Sequence, residues 1–202
     1  MSRIICQQCQ RPEKTCICAF AAPIKNNTHV VVLQHPSEVK QSKGSVSLLQ
    51  LSLAQCEVIV GESFADHQRL AEIFKQHGDN IALVYPSENA QQVNFLELEK
   101  PKTPAEYDVK TMVKCIVILD GTWKKAYRMF MLNPSLHKLH HLTLPSGIES
   151  LYNIRKTKKN NALSSLEACC HILARLENNS AKYQPLLESF KDFNLFQQSF
   201  SQ

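Results

Sequence analysis

The sequence predicts an α/β domain, a mostly parallel sheet with flanking helices, preceded by a small N-terminal cysteine knuckle. Three observations predict it. Strand-like runs such as His29-Val30-Val31-Val32-Leu33 and Cys115-Ile116-Val117-Ile118-Leu119 are continuously apolar rather than alternating, which marks strands buried on both faces. These runs alternate with segments of helical period, the pattern of a parallel sheet whose crossovers are helices. Finally, half of the eight cysteines fall within the first 18 residues, ahead of that alternation.

Taken in order, residues 1–22 are assigned to the knuckle and 28–202 to the larger unit, with the Ala/Pro/Asn stretch 21–28 read as a linker. The run 29–33 is the first strand. Leucines at 48, 49, 51 and 53 place a helix over 45–53, before a short strand at Val58-Ile59-Val60. Leu70, Ile73, Phe74 and His77 form one stripe of a helix over 66–77. Ile81-Ala82-Leu83-Val84-Tyr85 is a third strand closed by Pro86-Ser87, and a polar, Pro-containing segment over 97–108 delays the fourth, 115–119. Asp120 ends that strand. A helix follows over 122–131, then a short strand over 141–144 that stops at Pro145-Ser146-Gly147. Ser164 and Glu167 form a capping box, each side chain reaching the other's backbone N–H. Leu166, Cys169, Cys170, Leu173 and Leu176 supply the apolar face of that helix, and Leu186, Leu187, Phe190, Phe193 and Phe196 that of a final one.

At 202 residues, 44% hydrophobic and 20% charged, the composition is that of an ordinary soluble globular domain with a sizeable core. No apolar run is long enough for a secretory signal or a bilayer span, so a cytoplasmic address and no membrane partner are expected. The formal charge of +5 is mild, but its distribution is uneven. Arg155-Lys156-Thr157-Lys158-Lys159 and the group Lys124, Lys125, Arg128 read either as solvated faces or as grips on a phosphate backbone.

Cys6, Cys9, Cys16 and Cys18 follow the spacing C-x2-C-x6-C-x-C. In a reducing compartment such thiols are metal ligands rather than disulfides, and four thiolates close a structural tetrahedral zinc site. The competing reading is a flexible, reduced N-terminus. Cys56, Cys115, Cys169 and Cys170 sit in apolar contexts and read as small buried hydrophobes.

Ligands of parallel sheets bind beyond the carboxyl ends of the strands. Here those ends carry Gln34-His35-Pro36, Tyr85-Pro86-Ser87, Asp120-Gly121-Thr122 and Leu144-Pro145-Ser146. A Gly-rich dinucleotide fingerprint, a P-loop and a nucleophile elbow are all missing. Asp120 is the carboxylate best placed to act, as a base, although the same position suits a helix cap. Trp123 is either a core anchor or a stacking platform. His35 is a proton shuttle or a strand-terminal polar residue, and Glu38 a companion carboxylate or a solvated helix start. Tyr152, Arg155 and Lys156 either hold a stacked base and a phosphate or form a basic loop.

Asp120-Gly121-Thr122-Trp123 resembles the Asp-x-Thr-Trp signature of the DTW-domain family. Its companions occur in family order. They are the cysteine knuckle with Arg11-Pro12, Leu33-Gln34-His35-Pro36-Ser37-Glu38, Gly44-Ser45 before Leu48-Leu49-Gln50-Leu51-Ser52-Leu53, Tyr85-Pro86-Ser87, Tyr152-x-x-Arg155-Lys156, and Leu163-Ser164-Ser165-Leu166-Glu167-Ala168. Ser45 and Ser165 stand where the family pattern has Thr, with the hydroxyl kept. The resemblance implies a SPOUT-like domain with a knotted C-terminal part. It also implies transfer of the 3-amino-3-carboxypropyl group from S-adenosylmethionine to N3 of a tRNA uridine in the variable loop, releasing 5′-methylthioadenosine. Asp120 and Trp123 would be catalytic. Leu83, Tyr85, Pro86, Ser87, Gly121, Thr122, Leu144, Pro145 and Ser165 would hold the donor. His35, Lys124, Lys125, Arg128, Tyr152, Arg155, Lys156, Lys158 and Lys159 would contact tRNA, while Cys6, Cys9, Cys16 and Cys18 would hold structural zinc. A methyltransferase of the same fold and a non-catalytic zinc-containing RNA-binding module are the alternatives, and the oligomeric state stays open.

Overall fold

A computed structural model describes residues 4–41, 44–93, 113–148, 150 and 163–200. Six parallel strands form one sheet: β1 (His29–Gln34), β2 (Cys56–Val60), β3 (Ile81–Val84), β4 (Gln91–Gln92), β5 (Cys115–Asp120) and β6 (His140–Thr143), in the order β2-β1-β5-β3-β6-β4. Among the described residues the α-helices are α1 (Val46–Ser52), α2 (Gln68–His77), α3 (Trp123–Leu132), α4 (Pro134–His137), α5 (Ser165–Leu176) and α6 (Ser180–Ser199). Among the described residues no helix is long and apolar enough to cross a membrane.

Continuous apolar strands are needed because both sheet faces are covered. Along β1, Val30 and Val32 point into one core, while Val31 and Leu33 point into the other. β5 does the same, with Ile116 and Ile118 on the first side and Cys115, Val117 and Leu119 on the second. The first core is closed by α1, α5 and α6 through Leu48, Leu49, Leu166, Leu173, Phe190 and Phe193. The second is closed by α2, α3 and α4 through Leu70, Ile73, Met129 and Leu136.

The expected linker over 21–28 is instead fastened to the sheet. Ile24 bridges Leu53, and buried Asn26 donates to the carbonyls of Thr28 and Gln55 and accepts from the Gln55 N–H. Upstream of it, Ile17 is fully buried in the first core, and the Phe20 ring lies 6.0 Å from Phe193 and 5.1 Å from Phe196. Because all six strands run parallel, β1, β3, β5 and β6 end on one edge of the sheet. The residues the chemistry needs are delivered there.

Candidate active site

The carboxyl ends of β3, β5 and β6 and the first turns of α3 and α5 enclose a cavity of about 610 Å³. Its walls are largely apolar, from Val84, Pro86, Ile118, Leu142, Leu144 and Pro145, with Glu38, Asp120, Thr143, Ser164 and Ser165 among the polar groups. A mostly apolar cleft with a few convergent polar groups is the usual form of a small-molecule site.

Asp120 is the last residue of β5, and the helix that follows is capped by Thr122, whose Oγ1 accepts from the Lys125 N–H at 3.4 Å. The capping reading of Asp120 therefore falls away. Its carboxylate is held by two neutral donors instead: Gln34 Nε2 gives 3.0 Å to Oδ2, and Ser165 Oγ gives 2.6 Å to Oδ1. Gln34 ends β1 directly opposite Asp120 in the register, and Ser165 opens α5, so three elements fix one carboxylate. Packing favours Gly121 here. A Cβ at that position would stand 3.0 Å from Lys125 Cβ and 3.6 Å from His35 Cβ.

Trp123 occupies the first turn of α3 at the cavity and is 48% exposed, so it is not a core anchor. Tyr85 also lines the cavity and stacks on Phe130, 4.6 Å between ring centres and 16° between planes; burial, with Tyr127 nearby, raises its phenol pKa. On the far wall, the N-terminus of α5 is fixed by the capping box. Ser164 Oγ accepts from the Glu167 N–H, and the Glu167 carboxylate accepts from the Ser164 N–H at 2.7 Å. The partial positive ends of α3 and α5 thus both face the space beside Asp120, which favours an anionic ligand group there.

The remaining expected residues divide by position. Pro86, Thr122, Leu144 and Pro145 line the cavity. Leu83 does not, because its side chain is fully buried in the core on the other side of the sheet. Ser87 does not either; its hydroxyl contacts His141 Nδ1 at 2.6 Å. His35 lies beyond β1, with Nε2 2.5 Å from Glu62 Oε1 and Nδ1 accepting from the Ser37 N–H. This places its ring proton on Nε2. Lys125 Nζ reaches Glu38 Oε1 at 2.7 Å, Arg128 meets Glu62 at 3.3 Å, and Lys124 is exposed. Tyr152, Arg155, Lys156, Lys158 and Lys159 lie outside the described residues.

Sequence reading missed Gln34, Glu62 and the cavity residues Ser45, Thr143 and Ile148. Gln34 had a signal, since it stands among the strand ends beyond which ligands of parallel sheets bind. Glu62 had none.

At the N-terminus the four cysteine sulfurs lie within 4.8 Å of one another, with Cys6–Cys18 at 3.6 Å and Cys9–Cys16 at 3.7 Å. A tetrahedral zinc site with bonds of ~2.3 Å has sulfur–sulfur edges of about 3.8 Å, so the donor set fits. Backbone N–H groups of Cys9 and Gln8 hold the Cys6 pKa down to about 6, while burial and the adjacent sulfurs push Cys18 up to about 12. Four sulfurs this close ionise together only around a cation.

The DTW domain profile matches residues 3–198. The chain belongs to the DTW domain family. It is 31% identical over 198 residues to a Macaca fascicularis protein named tRNA-uridine aminocarboxypropyltransferase 2, covering 95% of this chain and 63% of that one. The Mus musculus protein of the same name is 29% identical with the same coverage. The one from Drosophila melanogaster is 31% identical over 187 residues, 90% of this chain and 70% of its own length. The chain thus spans a little under two thirds of the two mammalian relatives. No solved structure matches it. In this DTW domain the tetrapeptide 120–123 runs from the tip of β5 into the first turn of α3, and all four residues line the cavity.

Proposed function

We propose that the chain transfers the 3-amino-3-carboxypropyl group of S-adenosylmethionine to N3 of a tRNA uridine in the variable loop. The observation that carries the reading is the Asp120 carboxylate, aimed by Gln34 and Ser165 into an apolar cavity beside exposed Trp123. The names of the relatives support it.

A sulfonium has three electrophilic carbons, so the protein's task is positioning. The apolar walls around Val84, Ile118, Leu142 and Leu144 suit the adenosyl and methyl groups, and the first turns of α3 and α5 suit the donor's carboxylate. N3 attacks the methionyl Cγ, the Cγ–S bond breaks, and its electron pair leaves with neutral 5′-methylthioadenosine. The N3 proton passes to Asp120. Trp123 would receive the unstacked uracil, and Lys124 and Arg128, together with 155–159, would hold the tRNA backbone.

Residues 1–22 act in this reading as a structural zinc knuckle attached to a catalytic unit of 28–202, in the reducing cytoplasm. When bound, zinc would screen the four thiolates and fix the fold of the knuckle. A knotted C-terminal path accords with the chain crossing from β6 back to Asp120, two strands away in the sheet, at the start of α5.

The test is incubation with unmodified tRNA and donor labelled in either the carboxyl carbon or the methyl group. Carboxyl label alone entering tRNA is expected. Methyl label alone means methylation, and no label means a binding module; either outcome removes the proposal.

A further inference from the structure

At the opposite edge of the sheet, three potential ligands converge that the transfer reaction does not use. His29 opens β1 and Cys115 opens β5, directly across from one another in the register, so their side chains leave the same face. His77, the last residue of α2, closes over them. His29 Nδ1 lies 3.2 Å from His77 Nε2 and 4.0 Å from Cys115 Sγ, and the three donor atoms all lie within 4.8 Å of one another.

The proton on His29 is accounted for. Its Nε2 is 3.1 Å from Glu57 Oε1, and Glu57 is in turn gripped by Arg69 Nε at 2.8 Å and Nη2 at 2.5 Å. A carboxylate engaged by a guanidinium accepts, so Nε2 carries the hydrogen and Nδ1 presents a bare lone pair to His77 and Cys115. A carboxylate behind the distal nitrogen is the arrangement that orients histidine ligands in zinc sites.

We propose that His29 Nδ1, His77 Nε2 and Cys115 Sγ form a second site for a borderline-soft divalent ion, zinc above all. The distances fit that ion. Tetrahedral bonds of ~2.0–2.1 Å to nitrogen and ~2.3 Å to sulfur give edges of about 3.3 Å for N···N and about 3.6 Å for N···S. The nitrogen pair already stands there at 3.2 Å, and the sulfur needs to close by about 0.4 Å towards His29, with its separation from His77 Nε2 within 4.8 Å. Two imidazoles and a thiolate select zinc, cobalt or copper over magnesium or calcium. The fourth position is left for water, with the 32% exposed Glu57 side chain and the partly exposed end of α2 alongside. Far from the cavity, the ion would clip the start of β1, the start of β5 and the end of α2 together. Cys115 loses its thiol proton to solvent on binding, and no oxidation is involved.

The test is metal content and cobalt spectroscopy on the full chain, read without any transferase assay. After zinc loading and dialysis, about two ions per chain are expected, falling to about one in His77→Ala and in Cys115→Ser. Cobalt added to protein whose knuckle is already zinc-filled should bind one equivalent with a thiolate-to-cobalt charge-transfer band, absent in Cys115→Ser. Glu57→Gln should weaken that binding by about 10- to 100-fold. His77 stands at a partly exposed helix end, so its variant keeps the test open if Cys115→Ser folds poorly. A single ion per chain, lost with Cys6→Ser and indifferent to His77→Ala, overturns the proposal. So does an unchanged charge-transfer band in Cys115→Ser.

Discussion

Asp120 illustrates how much of a residue's role is set by its neighbours. Two neutral donors, Gln34 and Ser165, fix the plane of its carboxylate and aim it into the cavity. Asp120→Asn keeps the shape and removes the base. It should fold and bind tRNA normally yet lose about 10²- to 10⁴-fold in turnover, the usual worth of a positioned general base. Unchanged turnover in single-turnover assays would take Asp120 out of the proton transfer. Trp123→Ala tests a different link. Stacking of one base on an aromatic ring is worth ~1–3 kcal/mol, so the tRNA KM should rise by about 5- to 150-fold with thermal stability nearly unchanged. A large fall in melting temperature would mean that the ring, though half exposed, supports the fold.

Among the elements, strands and helices were legible because their signals are local. The apolar runs of β1 and β5 announce burial on both faces, and Ser164-x-x-Glu167 announces the start of α5. What was not legible depends on pairs far apart in the chain. Nothing in the spacing says that Ser165 meets Asp120, or that 21–28 is bonded along Ser52, Ala54 and Gln55 rather than loose. The two-residue β4 is too short for any periodicity, and the choice of Thr122 over Asp120 as cap turns on where the strand stops. Glu177, just past α5, shows the same non-locality. Its carboxylate accepts from the N–H groups of Asn27 and Thr28 and from Lys182 Nζ at 2.5 Å. Burial opposes its ionisation, but these donors prevail and hold its pKa below the ordinary carboxylate value of 4.5. A depressed carboxylate stabilises the fold above its unfolded pKa, and that contribution is lost as pH falls through the folded one. Urea midpoints of the wild type should therefore drop below about pH 4.5. In Glu177→Gln the midpoint should be lower at neutral pH and this part of the acid dependence flattened. Parallel curves for the two proteins would show that the tie contributes nothing.

For the molecule as a whole, the knuckle and the cavity are linked to stability through different terms. Ile17, between Cys16 and Cys18, is buried in the first core, and Phe20 packs against Phe193 and Phe196 of α6, where Ser189 Oγ also donates to the Phe20 carbonyl at 2.7 Å. A chelator that strips the knuckle should loosen this contact and lower the melting temperature, since each buried large apolar side chain is worth ~1.5–3 kcal/mol. An unchanged melting curve after complete metal loss would make the metal dispensable to the fold. The cavity acts through ligand linkage. A donor that binds only the native state stabilises it by about 2.7 kcal/mol at a hundredfold excess over Kd, which for a chain of this size raises the melting temperature by about 5–10 °C. S-adenosylmethionine and 5′-methylthioadenosine should each produce such a shift without tRNA. Asp120→Asn should retain it, because the base is not asked to bind the donor. Ala168→Phe, which places a ring in the cavity from the first turns of α5, should abolish it while the protein stays folded. A shift that survives Ala168→Phe places the donor somewhere other than this cavity.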